Sequence, residues 1–116
     1  MASLRRIEKL NILLQEEVAK ILEEEVEFPE GNLVTITRAS ISDDVYYGTV
    51  FVSILGKNPQ KFLEKLEKNT RHIQQLLNRR LRIRPVPKIR FAIDEGELKR
   101  EIVEKSLAEL KRKNDF

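Results

Sequence analysis

The sequence predicts an α+β domain, a three-stranded sheet with helices packed on one of its faces. Three observations lead there. Apolar residues recur in steps of three and four over two long segments, the spacing of one-sided helices. Three shorter segments are β-branched or alternate strictly, as half-buried strands do. The order helix, strand, strand, helix, strand lets the helical stripes and one aliphatic sheet face bury each other. A chain of 116 residues is enough for one such core and too short for two domains.

The first helix is expected from Leu4 to about Glu25, with Ile7, Leu10, Leu14, Val18, Ile21 and Leu22 on one stripe and Ser3 as its N-cap. Phe28-Pro29-Glu30-Gly31 ends it, because proline cannot continue a helix and glycine accepts a turn. Leu33 to Ser42 and Tyr46 to Leu55 read as two strands. The Ser42-Asp43-Asp44 connection between them is short enough to make them antiparallel. Gln60 to roughly Arg84 is a helical region with Leu63, Leu66, Thr70, Ile73, Leu77 and Leu81 facing inward and Pro59 in its first turn. The weak helix formers Asn69 and Thr70 mark the expected kink. Two prolines force Arg84 to Pro87 to be extended. Lys88 to Ile93 then alternates as a third strand, with Ile89, Phe91 and Ile93 inward. Residues 3–96 form the expected domain, and 97–116 a helical extension or partly disordered tail.

Composition narrows the function. The absence of cysteine removes disulfides, thiolate nucleophiles and Cys-ligated zinc. No apolar run approaches the ~18 residues of a membrane span, so the sequence reads as a soluble, cytoplasmic protein. No His or Asp/Glu spacing resembles a metal site, and no glycine-rich loop exists to cradle a nucleotide, so no cofactor is expected. His72 is the one histidine and lacks a sequence neighbour that would make it a general base. Asp43 and Asp44 are turn formers, not a catalytic pair. A non-enzymatic protein is expected.

Charge gives the positive signal. Between Lys68 and Ile93 there are 26 residues with eight Lys and Arg and no acid, whereas the remainder carries 14 basic against 19 acidic residues. Such segregation steers polyanions toward one surface. Arg79, Arg80, Arg82, Arg84, Lys88 and Arg90 place six cations in twelve residues. Five are arginines, whose planar fork matches phosphate oxygens. Lys68, Arg71, Arg79, Arg80, Arg82, Arg84, Lys88 and Arg90 are the expected phosphate contacts, on one convex ridge, with Asn69, Thr70 and His72 nearer sugars or bases. No aromatic residue is interleaved with these cations, so backbone and shape recognition is expected over base stacking. Ile73, Leu77, Leu81, Ile89 and Phe91 belong to the core.

Several segments together resemble a known family. Leu33-Val34-Thr35-Ile36-Thr37-Arg38, the Ser42-Asp43-Asp44 turn, Gly48-Thr49-Val50-Phe51-Val52-Ser53 and Leu55-Gly56 are similar to ribosome-binding factor A. So are Asn78-Arg79-Arg80-Leu81-Arg82-Ile83-Arg84, Val86-Pro87 and Ile89-Arg90-Phe91 followed by Asp94. The resemblance implies a type II KH-like fold in which a helix-kink-helix replaces the usual glycine-rich loop. It implies a bacterial assembly factor that binds immature 16S rRNA and free small ribosomal subunits and assists late maturation and 5′-end processing. Assembly GTPases are further partners it suggests, and a monomer is expected. Asn69-Thr70-Arg71 departs from the Ala-Xaa-Gly triplet at the family's kink and adds a cation there. The competing reading is a protein-interaction adaptor or homodimer that uses the acidic first helix and the basic ridge. A small nucleic-acid enzyme is the third, disfavoured by the lack of a nucleophile or metal cluster.

Overall fold

The computed structural model describes residues 4–27 and 32–95. Ser3, the Phe28–Gly31 turn and the expected extension at 97–116 lie outside the described residues. Helix α1 spans Leu4–Glu25 and buries Ile7, Leu10, Leu14, Val18, Ile21 and Leu22, the stripe its spacing predicts. Strands β1 (Leu33–Ile41) and β2 (Tyr47–Leu55) follow, then helices α2 (Pro59–Lys68) and α3 (Thr70–Arg80), then β3 (Lys88–Ile93).

The sheet order is β1-β2-β3. β1 and β2 are antiparallel, from Leu33 opposite Leu55 to Ile41 opposite Gly48. β3 lies parallel to β2, from Tyr47 beside Lys88 to Val52 beside Ile93. Parallel neighbours need a long crossover, and α2 with α3 supply it. Strict alternation in β2 buries Gly48, Val50, Val52 and Ile54 on the helix side. In β1 the register shifts between Ile36 and Arg38. Ile36 and Ala39 are buried while Thr37 and Arg38 between them both face out, as a bulge dictates.

Helical amides finish both sheet edges. The Ile41 N–H donates to Asn11 Oδ1 at 2.8 Å, and Gln15 Nε2 donates to the Ile36 carbonyl at 3.3 Å. On the opposite edge, Gln74 Nε2 donates to the Pro87 carbonyl at 2.9 Å and Gln74 Oε1 accepts from the Ile89 N–H at 2.8 Å. One side chain there replaces a neighbouring strand. Edge groups left bare would be costly and sticky.

The helical region keeps the expected kink and differs from its expected form in two ways. It ends at Arg80, not near Arg84, because Leu81 turns extended with ψ 131°. It breaks at Asn69, where the kink is expected. Its first half buries Phe62 and Leu66, with Leu63 only half-buried, since the break frees α2 from the rotational phase of α3. Asn69 sits at φ −93°, ψ 0°, a negative-φ conformation that does not call for glycine. Its Nδ2 donates to the Lys65 carbonyl at 2.9 Å, and Thr70 Oγ1 donates to the Leu66 carbonyl at 3.1 Å. Both carbonyls also accept from the Asn69 N–H, so backbone and side chains together satisfy them at the break, and no glycine is required.

The β1–β2 connection is held by Asp44. Its Oδ1 accepts from Ser42 Oγ at 2.7 Å and from the Tyr46 N–H at 3.0 Å. The Ser42 hydroxyl, then the Tyr46 N–H, hold the Asp44 carboxyl below its ordinary value of 3.8. Folding therefore favours the ionised carboxylate. The contribution is complete above about pH 3.8 and is lost as pH falls through the lower folded value. The protection of the Tyr46 and Tyr47 amides against exchange, relative to the intrinsic rate at each pH, should fall across that acid window, and Asp44→Asn should loosen the turn already at neutral pH.

Replacing Gln74 by Ala leaves the Pro87 carbonyl and the Ile89 N–H without their partner. A loss of about 1–3 kcal/mol is expected, read from the denaturant midpoint. Gln75→Ala, one position along on the exposed face, should stay within about 0.5 kcal/mol of the parent.

Candidate nucleic-acid interface

α3 is oriented from below by Ile73 and Leu77, both fully buried, and from one flank by the Gln74 bonds to β3. On its other flank it meets the end of α1. The Arg80 guanidinium bonds the Glu24 carboxylate, and His72 Nε2 lies 3.7 Å from Glu25 Oε2. What remains on the solvent side is Arg71, Gln75, Asn78 and Arg79, continued by Lys68 on α2 and Arg82 just past the helix end, all exposed. Among the described residues Lys68, Arg71, Arg79 and Arg82 are in no ion pair. Arg71 and Arg79 are two turns apart, about 12 Å along the axis.

The expected single ridge is divided, and some of its members serve the fold. Arg80 is half-buried and its pKa is raised, first by the hydrogen bond to Glu24, so it ties α3 to α1. Arg84 Nη1 donates to the Leu81 and Ile83 carbonyls at 3.0 and 2.7 Å, stiffening the bend before β3. Asn69 and Thr70 are half-buried, and their side chains cap α2. His72 is exposed beside an acid. Lys88 and Arg90 alternate with the buried Ile89 and Phe91, so they face away from the helices, and Arg90 Nε donates to Thr49 Oγ1 at 3.1 Å. The cations therefore form two groups, one on the helices and one on the open sheet face.

Sequence reading missed part of the helical group. Lys57, Lys61, Lys65 and Lys68 line a cleft of about 450 Å³ with Asn32, Asn58, Phe62 and Glu64. Glu64 and Glu67 close the acid-free window at Lys68, which hid the lysines before it. The steps of four and three from Lys61 to Lys65 to Lys68 on α2 were the available signal. Lys65 is partly engaged, donating to the Glu27 carbonyl at 3.0 Å. Among the described residues no group of His, Cys, Asp and Glu is placed to hold a metal ion, and no helix is long and apolar enough to cross a membrane.

The family profile described as Ribosome-binding factor A matches residues 6–107. The chain belongs to the ribosome-binding factor A family. A ribosome-binding factor A from Natranaerobius thermophilus is 42% identical over 98 residues, covering 83% of this chain and 74% of that protein. The solution NMR structure of a putative ribosome-binding factor A from Thermotoga maritima superposes with a TM-score of 0.67 at 26% identity, over 84% of this chain and 94% of that one. A Thermus thermophilus ribosome-binding factor A, a homology model fitted into the cryo-EM map of a 30S complex, gives a TM-score of 0.61 at 24% identity, over 71% and 88% of the chains. The α+β, KH-like architecture of this family is the one observed. In this chain the helix break is built on Asn69, and Arg71, two residues on, is in no ion pair among the described residues.

The division of labour between adjacent arginines is testable by heat. Arg80→Ala should lower the melting midpoint at low ionic strength and less at high salt, as a surface ion pair does. Arg79→Ala should leave it unchanged at both.

Proposed function

We propose that this chain is a ribosome assembly factor that acts by binding, without catalysis. Its α2–α3 face takes the phosphate backbone of folded, immature 16S rRNA in the free small subunit. The observation behind this reading is the set of exposed, unpaired cations Lys68, Arg71, Arg79 and Arg82, arrayed along two helices fixed from three sides. Family membership supports it, as does the relative whose homology model was fitted into the map of a 30S complex. Such a face favours whichever RNA conformation matches its spacing, so binding shifts the RNA population toward that state. Assistance with late maturation and 5′-end processing follows if the favoured state is the one that processing requires.

The adaptor or homodimer alternative required the acidic end of α1 and the basic ridge to be available to other molecules. Glu24 and Glu25 are instead beside Arg80 and His72 of the same chain. That weakens it.

With about four phosphates neutralised, log affinity for a structured RNA should fall with log salt at a slope of about −2.8 to −3.6. In gradient fractionation the chain should travel with free small subunits. Arg71→Glu with Arg79→Glu should flatten the slope and release the chain to the top of the gradient without lowering its melting temperature. A flat slope in the parent would remove the electrostatic mechanism.

A further inference from the structure

The sheet face turned away from the helices has a composition that the core does not explain. Cross-strand pairing sets Tyr47 beside Lys88 and Thr49 beside Arg90. The same strand places Arg38 opposite Phe51 and Ser40 opposite Thr49. The Arg38 guanidinium lies 3.8 Å above the centre of the Phe51 ring. Tyr47 is 63% exposed, an expensive way to use an aromatic ring unless something stacks on it. At this end of the sheet Ser40, Ser42, Tyr47, Thr49, Lys88 and Arg90 line a cleft of about 530 Å³.

Aromatic rings are thus interleaved with cations in space, though not in sequence. The parallel pairing of β2 with β3, which joins residues about forty positions apart, does it. Arg90 uses its Nε on Thr49, which steadies the guanidinium and leaves its terminal nitrogens for a phosphate. Arg38, laid on Phe51, offers a planar cation on which a base can stack. Asp94 shares this face but is occupied, accepting from Thr37 Oγ1 at 2.6 Å and lying 3.8 Å from Arg38 Nε. Tyr47 and Phe51 are four residues apart on one strand, about 13 Å, too far for one base to touch both.

We infer that this face is a second nucleic-acid site, which takes a short single-stranded RNA segment by stacking on Tyr47 and on the Arg38–Phe51 pair while Lys88 and Arg90 hold its phosphates. It differs in kind from the helical face, whose free cations Lys68, Arg71, Arg79 and Arg82 have no exposed Tyr or Phe ring among them. Stacking tolerates any base, so little sequence preference is expected. The site extends the RNA-binding reading to a surface that reading does not use, and it stands or falls separately.

The test uses the full chain with two fluorescent probes, a mixed-sequence single-stranded RNA octamer and a base-paired RNA hairpin. Tyr47→Ala should weaken octamer binding about tenfold and leave the hairpin unaffected. Tyr47→Phe should bind the octamer like the parent. Arg90→Glu should weaken the octamer alone, and Arg71→Glu with Arg79→Glu chiefly the hairpin. In NMR titrations the octamer should move the amides of Tyr47, Thr49, Phe51 and Arg90. Octamer affinity unchanged by both Tyr47→Ala and Arg90→Glu would overturn the inference, as would shifts confined to α2 and α3. So would a concentration-dependent dimer that moves the same β2 amides without RNA, which would give the face to a second copy. Failure of the hairpin arm alone would count against the helical face and leave the sheet site standing.

Discussion

Everything functional in this chain depends on amide side chains that close the two open edges of a three-stranded sheet. Gln74 donates to the Pro87 carbonyl just before β3 and accepts from the Ile89 N–H within it, as a fourth strand would. Asn11 and Gln15 do the corresponding work on β1, where a bulge has disturbed the regular pattern. Each bond fixes a helix in rotation as well as in position. With Gln74 pointed at Pro87 and Ile89, the arginines at positions 71 and 79 have no choice but to face water.

The second determinant is the junction between the first and third helices. Glutamates at the end of α1 meet Arg80 and His72 across the interface. The acidic and basic halves of the sequence therefore neutralise each other where they touch and leave surplus positive charge where they do not. Adjacent arginines receive opposite assignments from a rotation of about 100°. Arg80 turns inward to carboxylates, and Arg79 turns outward to solvent.

Much of the architecture was legible in local pattern. The α1 stripe was complete because that helix is long, unbroken and one-sided. β3 was recovered between its observed ends because two prolines precede it and alternation continues through it. The kink was visible in Asn69 and Thr70, whose side chains compete for backbone carbonyls. Phe62 was missed because a single helical phase was carried across that kink. The division of the cations was missed for a different reason. The alternation that turns Ile89 and Phe91 toward the core already sends Lys88 and Arg90 to the sheet face opposite the helices, but nearness in sequence was read as nearness in space. Tyr47 could not be joined to Lys88 from local pattern, since only the parallel pairing brings them together.

That late-arriving strand has an implication for synthesis. β3 follows both crossover helices in the chain, and Gln74 has nothing to bond until Pro87 and Ile89 have been made. Until then a nascent polypeptide holds its arginines on unanchored helices, and short isolated helices are marginal in water. The pairing of β2 with β3 joins residues about forty positions apart, and such non-local contacts form slowly and only once the intervening chain is present. The outward array of arginines is therefore completed only once β3 has been made and has taken its place beside β2.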